Sequence, residues 1–362
     1  MIGDGKVLAR GRPAVPGAVT GCVLTDPVEA ERRASEGSLV ILAVTTTSPQ
    51  LLPVVTSAAG VITELGGLAS HAALVCRELA TPCVVGCGPD TVTQLDGTWA
   101  ILDAERGELR RATPPVDADH EVAADGTSGR AVESATVALD DEHLVTLQAA
   151  RLRGVTDESD LSAILQLRHG VAERHVALLE HVGLVSASAE GVRVTTSGHH
   201  RIEEWLVDER RQVDGSALTA FHEGDEWNRQ NDQFEHIATA WYVRDGVDND
   251  HTDAAYDAAV LRDLLDLGER WTIGRIAADL RARLGSYDRR FRTALTAVRA
   301  GDARWFLGLS VDSFHRVLFE LHQEMYDLAP GTREEHERAR HVRLVGRREL
   351  LGLDETLEIR DP

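Results

Sequence analysis

Residues 62–86 read Ile62-Thr63-Glu64-Leu65-Gly66-Gly67-Leu68-Ala69-Ser70-His71-Ala72-Ala73-Leu74-Val75-Cys76-Arg77-Glu78-Leu79-Ala80-Thr81-Pro82-Cys83-Val84-Val85-Gly86. An apolar run of strand length ends at Thr63, and a Gly-Gly turn follows. The Ala- and Leu-rich stretch after Ser70 predicts a helix over 70–80. His71 then falls in its first turn, where free N–H groups and the positive end of the dipole favour an anion. Gly66 and Gly67 let the backbone come close to a bound group. A neutral imidazole nitrogen is a good nucleophile toward phosphorus. The resulting anion would be held by helix-end amides, the Ser70 hydroxyl and Arg77. The plain alternative for a short Gly-Gly…His pattern is an ordinary turn followed by a core or surface histidine.

The surrounding residues fit a compact α/β unit. Short apolar runs at Ser38–Ala43, Gly60–Thr63, Cys83–Val85 and Trp99–Asp103 are of strand length, with helical candidates at Pro49–Ser57 and Ser70–Ala80 between them. The chain has 362 residues, which predicts two or three domains, and its 43% hydrophobic content is enough for real cores. Its net charge of −21 argues against broad binding to nucleic acid or anionic membranes, since phosphate surfaces repel such a field. Lys6 is the single lysine, which excludes a lysine Schiff base or a P-loop lysine downstream. Cys22, Cys76, Cys83 and Cys87 complete no zinc set, so free thiols and no metal are expected. No signal peptide and no membrane-length apolar stretch is legible, and the expected location is the cytoplasm.

The stretch around His71 resembles the phosphohistidine signature of the phosphoenolpyruvate-utilising enzymes, among them pyruvate phosphate dikinase and phosphoenolpyruvate synthase. The resemblance is carried by Gly66, Gly67, Ser70, His71, Ala72, Ala73, Arg77, Glu78, Pro82, Val84, Val85 and Gly86. Gly11–Gly21 looks like the family's first strand, and Leu95-Asp96-Gly97 with Ile101-Leu102-Asp103 looks like its closing hairpin. The resemblance implies a swivelling β/β/α domain over residues 1–112, with His71 as the phosphorylated residue and Gly66, Gly67, Ser70 and Arg77 as its setting. It also implies a dikinase-like phosphotransferase with paired acceptors, such as pyruvate or phosphate. One departure is Ala69, where the plant and bacterial dikinases have a regulatory threonine, so the resemblance does not extend to that mode of control. No tightly bound cofactor is expected. The family's ATP-grasp part is not legible ahead of this segment, and the barrel that binds phosphoenolpyruvate is not legible after it. Mg-ATP is therefore expected on a separately encoded ATP-grasp-type partner, and the acceptor site on a further protein.

The remainder is expected to be α-helical, giving a multidomain α/β plus α architecture. Residues 113–142 hold eight acids and one arginine and read as an acidic linker. Residues 143–213 show the order helix–helix–helix–hairpin, winged-helix-like. Their eight arginines against ten acids give no basic face, so docking or spacing is favoured over reading DNA. Residues 214–362 predict a helical domain with a charged tail. Asp312, His315, Phe319 and His322 are spaced to share a helix face, and Asp250, His251, His315 and His322 are a candidate polar pocket. The competing functional classes are a phosphohistidine-linked regulator, favoured by a basic stripe near Arg168–Arg174 and Arg193, and the carrier part of a drug phosphotransferase resembling the rifampicin enzyme.

Overall fold

The structure is a computed structural model describing residues 6–48, 51–68, 70–92, 94–114, 139–189, 191–216, 218, 224–245, 247–273, 284–329, 335 and 338. Ala69, most of the predicted acidic linker and nearly all of the charged tail lie outside the described residues.

The N-terminal part is built on one eight-stranded sheet. Its strands are β1 (Val7–Arg10), β2 (Arg12–Val15), β3 (Ala18–Leu24), β4 (Val40–Val44), β5 (Gly60–Thr63), β6 (Cys83–Val85), β7 (Trp99–Asp103) and β8 (Glu108–Arg111), in the order β1-β8-β7-β3-β4-β5-β6-β2. The centre, β3-β4-β5-β6, is parallel, and the outer strands are antiparallel. Alternation along β4 sends Val40 and Leu42 into one core and Ile41 and Ala43 into the other. The first of these cores is closed by α1 (Pro27–Ser35), α2 (Leu52–Ser57) and α3 (His71–Leu79).

The two edge strands, β1 and β2, are joined through Gly11 alone, so the sheet must curl until its edges meet there. The Gly11 N–H donates to the Gly107 carbonyl at 2.9 Å. A Cβ on Gly11 would stand 2.6 Å from the Val85 oxygen, which no side chain tolerates. Both edge strands carry a register irregularity, and Pro13 interrupts the hydrogen-bonding capacity of β2.

Two predicted elements differ in detail. The single first strand over 11–21 is two strands, broken at Pro16-Gly17, where Gly17 has φ +142°. The closing hairpin is β7 with β8; Leu95-Asp96-Gly97 precedes it, because the Asp96 carboxylate accepts from the Thr25 N–H at 2.9 Å and hydroxyl at 3.1 Å and is drawn to the end of β3.

The second part is helical. It contains α4 (Asp141–Arg153), α5 (Glu158–Leu165), α6 (Val171–His181), the hairpin β9 (Val185–Ser188) and β10 (Gly191–Val194), and α7 (Thr196–Gln212). Next come α8 (Asp225–Tyr242), the short pair β11 (Val243–Arg244) and β12 (Val247–Asp248), and α9 (Ala254–Arg270). The series ends with α10 (Gly285–Arg299), α11 (Arg304–Leu307) and α12 (Phe314–Leu328). Asp140, Asp157, Thr195 and Ser313 cap α4, α5, α7 and α12, each accepting from the N–H three residues on. The predicted order of three helices and a hairpin is present. Leu144, Leu179 and Trp205 share one apolar core with Phe234, Phe291 and Leu321, so the packing is continuous across residue 213.

A buried charge network ties α4 to α12. The Arg153 guanidinium lies 2.8 Å from Glu320 and 3.1 Å from Asp312 and Asp160. Arg290 meets Asp312 at 2.7 Å and Glu320 at 2.5 Å from the other side. Arg151 pairs with Asp327, which also accepts from Gln148 at 2.9 Å. Asp312 does not share the helical face with His315: it precedes the cap Ser313, held there by Arg290.

Candidate functional site

The predicted site forms where β5 ends and α3 begins, outside the carboxyl ends of the parallel strands. Gly66 adopts φ +108°, and a Cβ there would lie 2.8 Å from that of Ser70. This position therefore demands glycine, while Gly67 faces open space. The turn closes with the Ser70 N–H on the Gly67 carbonyl at 2.9 Å. Ser70 is the N-cap, its hydroxyl accepting from the Ala73 N–H at 3.5 Å. His71 is the first residue of α3, at the helix end whose amides lack intrahelical partners. Arg77 donates to the Leu68 carbonyl, bracing the turn, and burial pushes its pKa down. Ser70, His71, Gly66, Gly67 and Arg77 are thus one local assembly.

Glu64 was not singled out by sequence reasoning. It is a buried carboxylate that accepts from the Val92 N–H at 3.1 Å, the Thr45 hydroxyl at 3.2 Å and Arg338 at 3.1 Å. An acid placed between a buried strand and a Gly-Gly pair was the available signal. It anchors the segment from which the turn departs.

The four residues predicted as a polar pocket fall in three settings. Asp250 and His251 lie on a surface turn, where Asp250 accepts from Thr252 and His251 meets Asp257 at 3.1 Å. His322 stands edge-on to Trp227, with ring centroids 4.4 Å apart. His315 reaches His71 instead: their centroids are 5.3 Å apart. One turn further along α12, Phe319 stacks on His71 at 3.2 Å and 9°. Burial pushes the His315 pKa down to about 4, so its ring is neutral at pH 7. The meeting of α12 with His71 had no signal in the sequence.

Among the described residues, no group of three or more His, Cys, Asp or Glu side chains could hold a metal ion. The four cysteines are free thiols; Cys76 and Cys83 are buried, and burial raises the pKa of Cys87 to about 12. Among the described residues no helix is long and apolar enough to cross a membrane.

A glycine turn feeding a capped helix with histidine at its first position, on a curled α/β sheet, defines a class. Residues 37–107 match the family model of the PEP-utilising enzyme, mobile domain. Its relatives are phosphotransferases. The chain is 37% identical over 106 residues to phosphoenolpyruvate synthase of Aeropyrum pernix, covering 29% of this chain and 13% of that one. It is 37% identical over 116 residues to the chloroplastic pyruvate, phosphate dikinase 1 of Arabidopsis thaliana, covering 29% and 12%. It is 35% identical over 127 residues to pyruvate, phosphate dikinase of Rhizobium meliloti, covering 35% and 13%. The chain thus spans about an eighth of the length of these curated relatives.

Proposed function

We propose that this chain is a phosphoryl carrier of a dikinase-like phosphotransferase, with His71 as the nucleophile and carrier. The observation that supports it most is His71 at the first position of α3, behind the Gly66–Gly67 turn and inside the segment matching the mobile domain. In the first step a neutral imidazole nitrogen attacks phosphorus of a nucleotide held by an ATP-grasp-type partner. A P–N bond forms, the P–O bond to the departing nucleotide breaks, and its electron pair leaves with that oxygen. The proton on the other ring nitrogen balances part of the new charge. In the dikinase case the attacked atom is the β-phosphorus, AMP leaves, and the histidine carries a pyrophosphoryl group. Phosphate then takes the terminal phosphoryl group, leaving as pyrophosphate, and an oxygen of pyruvate finally attacks the phosphorus on nitrogen and frees the imidazole. Positioning and charge stabilisation do most of the work in such transfers. Helix-end amides, the Ser70 hydroxyl and Arg77 are the groups available for it.

The test is incubation with β- and γ-labelled ATP, with and without a co-encoded ATP-grasp protein, scored for acid-labile label. Label on wild type but not on His71→Ala is expected, and its position distinguishes dikinase chemistry from simple kinase chemistry. Equal labelling of both, or of neither, sinks the proposal.

On this reading the module over 143–213, winged-helix-like in its element order, serves docking rather than DNA. Arg193 on its hairpin pairs with Glu31 of α1 at 2.9 Å, so this arginine is committed within the chain and not to a basic stripe.

A further inference from the structure

We propose that α12 is an intramolecular cap on His71, and that docking of this helix and phosphorylation of His71 exclude one another. The inference rests on the carrier role of His71. Phe319 lies face to face on the imidazole, with centroids 3.2 Å apart and planes within 9°. His315 closes a second side at 5.3 Å, and the His71 Nδ1 atom has no contact with solvent.

A phosphoryl group on either ring nitrogen carries three oxygens that project above and below the ring plane. On one side that space holds the Phe319 ring. A phenyl face is the negative side of its quadrupole, so it also repels the new dianion. An anion shut against apolar surface without partners is strongly disfavoured. The amides at the start of α3 favour the anion, yet they serve a phosphoryl group only once the aromatic face has left.

The cap is one part of a wider contact. Leu74, one turn along α3, is buried in the core of the helical part. The Tyr242 hydroxyl, at the end of α8, donates to Glu78 at 2.8 Å, and Arg77 lies over the Tyr242 ring at 5.2 Å. Arg193 reaches Glu31, and Arg338 reaches Glu64 and Asp90, both at 3.1 Å. Leu74, Arg77 and Glu78 carry these contacts along α3 itself, and the other two lie on the flanking segments, so the partly buried histidine sits at the edge of a wider contact face.

Reaction of the full chain with diethyl pyrocarbonate tests the cap without any phosphoryl chemistry. The modifier acylates neutral imidazole, and peptide mass spectrometry reads each histidine separately, with the half-exposed His251 as internal reference. His71 should react at least ten-fold more slowly in wild type than in Phe319→Ala. Tyr242→Ala, at the margin of the contact and outside the stack, should give an intermediate rate and guards against a folding defect in the first variant. With the ATP-grasp partner, labelling rates should rise in the same order. Equal His71 reactivity in wild type and both variants overturns the cap. Relief of protection with no labelling in any variant leaves the cap standing and removes the carrier role; labelling with equal reactivity does the reverse.

Discussion

The imidazole of His315 is packed among Phe234, Phe319 and His71, and burial lowers its pKa from 6.5 to about 4. The unfolded chain binds a proton here between those values and the folded chain does not, so the folded state is favoured as pH rises through this window. The contribution is complete above pH 6.5 and is lost as pH falls toward 4. At about 1.4 kcal/mol per unit this one group accounts for roughly 3 kcal/mol. Urea unfolding between pH 4 and 6.5 should show a shallower pH slope in His315→Leu than in wild type; an unchanged slope refutes the assignment. At this scale the sequence was most informative around His71. The turn at Gly66 and the helix start near Ser70 were legible; Ser70 and Arg77 were read as holding a bound anion, and their roles as cap and brace come from the structure. Phe319 lies 248 positions away from His71, and no local rule pairs them.

Among the elements, α12 carries the most. It offers His315 and Phe319 to His71 of the sheet part, and Leu321, Met325 and Leu328 to the helical core. It also supplies Glu320 and Asp327 to the buried ion pairs with Arg153, Arg290 and Arg151. Removing Arg153 leaves the buried Glu320 and the partly buried Asp312 short of one compensating charge. Arg153→Ala should cost about 3–5 kcal/mol of stability in chemical denaturation. Arg229→Ala, which removes an exposed pair with Glu226, should cost at most about 1 kcal/mol. Similar values for the two would contradict the burial argument. Helical period told which residues of this segment share a face. It could not tell what the face meets, so His315 and His322 read as one pocket although they face different neighbours. The period also carried Asp312 onto the helix, whereas Ser313 is the cap and the helix starts at Phe314.

For the whole molecule, the proposed cap and the proposed phosphorylation of His71 form two ends of one equilibrium. Whatever factor docking takes from the phosphorylation equilibrium, phosphorylation takes from docking. A carboxylate at position 71 should therefore loosen the assembly without any phosphate. His71→Asp is expected to give a larger radius of gyration than wild type in small-angle scattering, and Phe319→Ala to move the same way; unchanged dimensions in both count against the coupling. The division into a sheet part and a helical part was legible in the change from short, punctuated apolar runs to sustained helical periods. The docking of one on the other was not, because contacts between distant faces leave no period.

A domain that leaves its dock also loses whatever shielded its flanks, and a β-sheet set free in this way is a template for indiscriminate self-association. The join at Gly11 answers that hazard. It turns both ends of the strand order toward each other, and those two strands are only four residues long, each irregular, one carrying Pro13. Short, broken borders of this kind recruit foreign strands poorly. Under the proposed release, the sheet part would therefore be a poor seed for polymerisation.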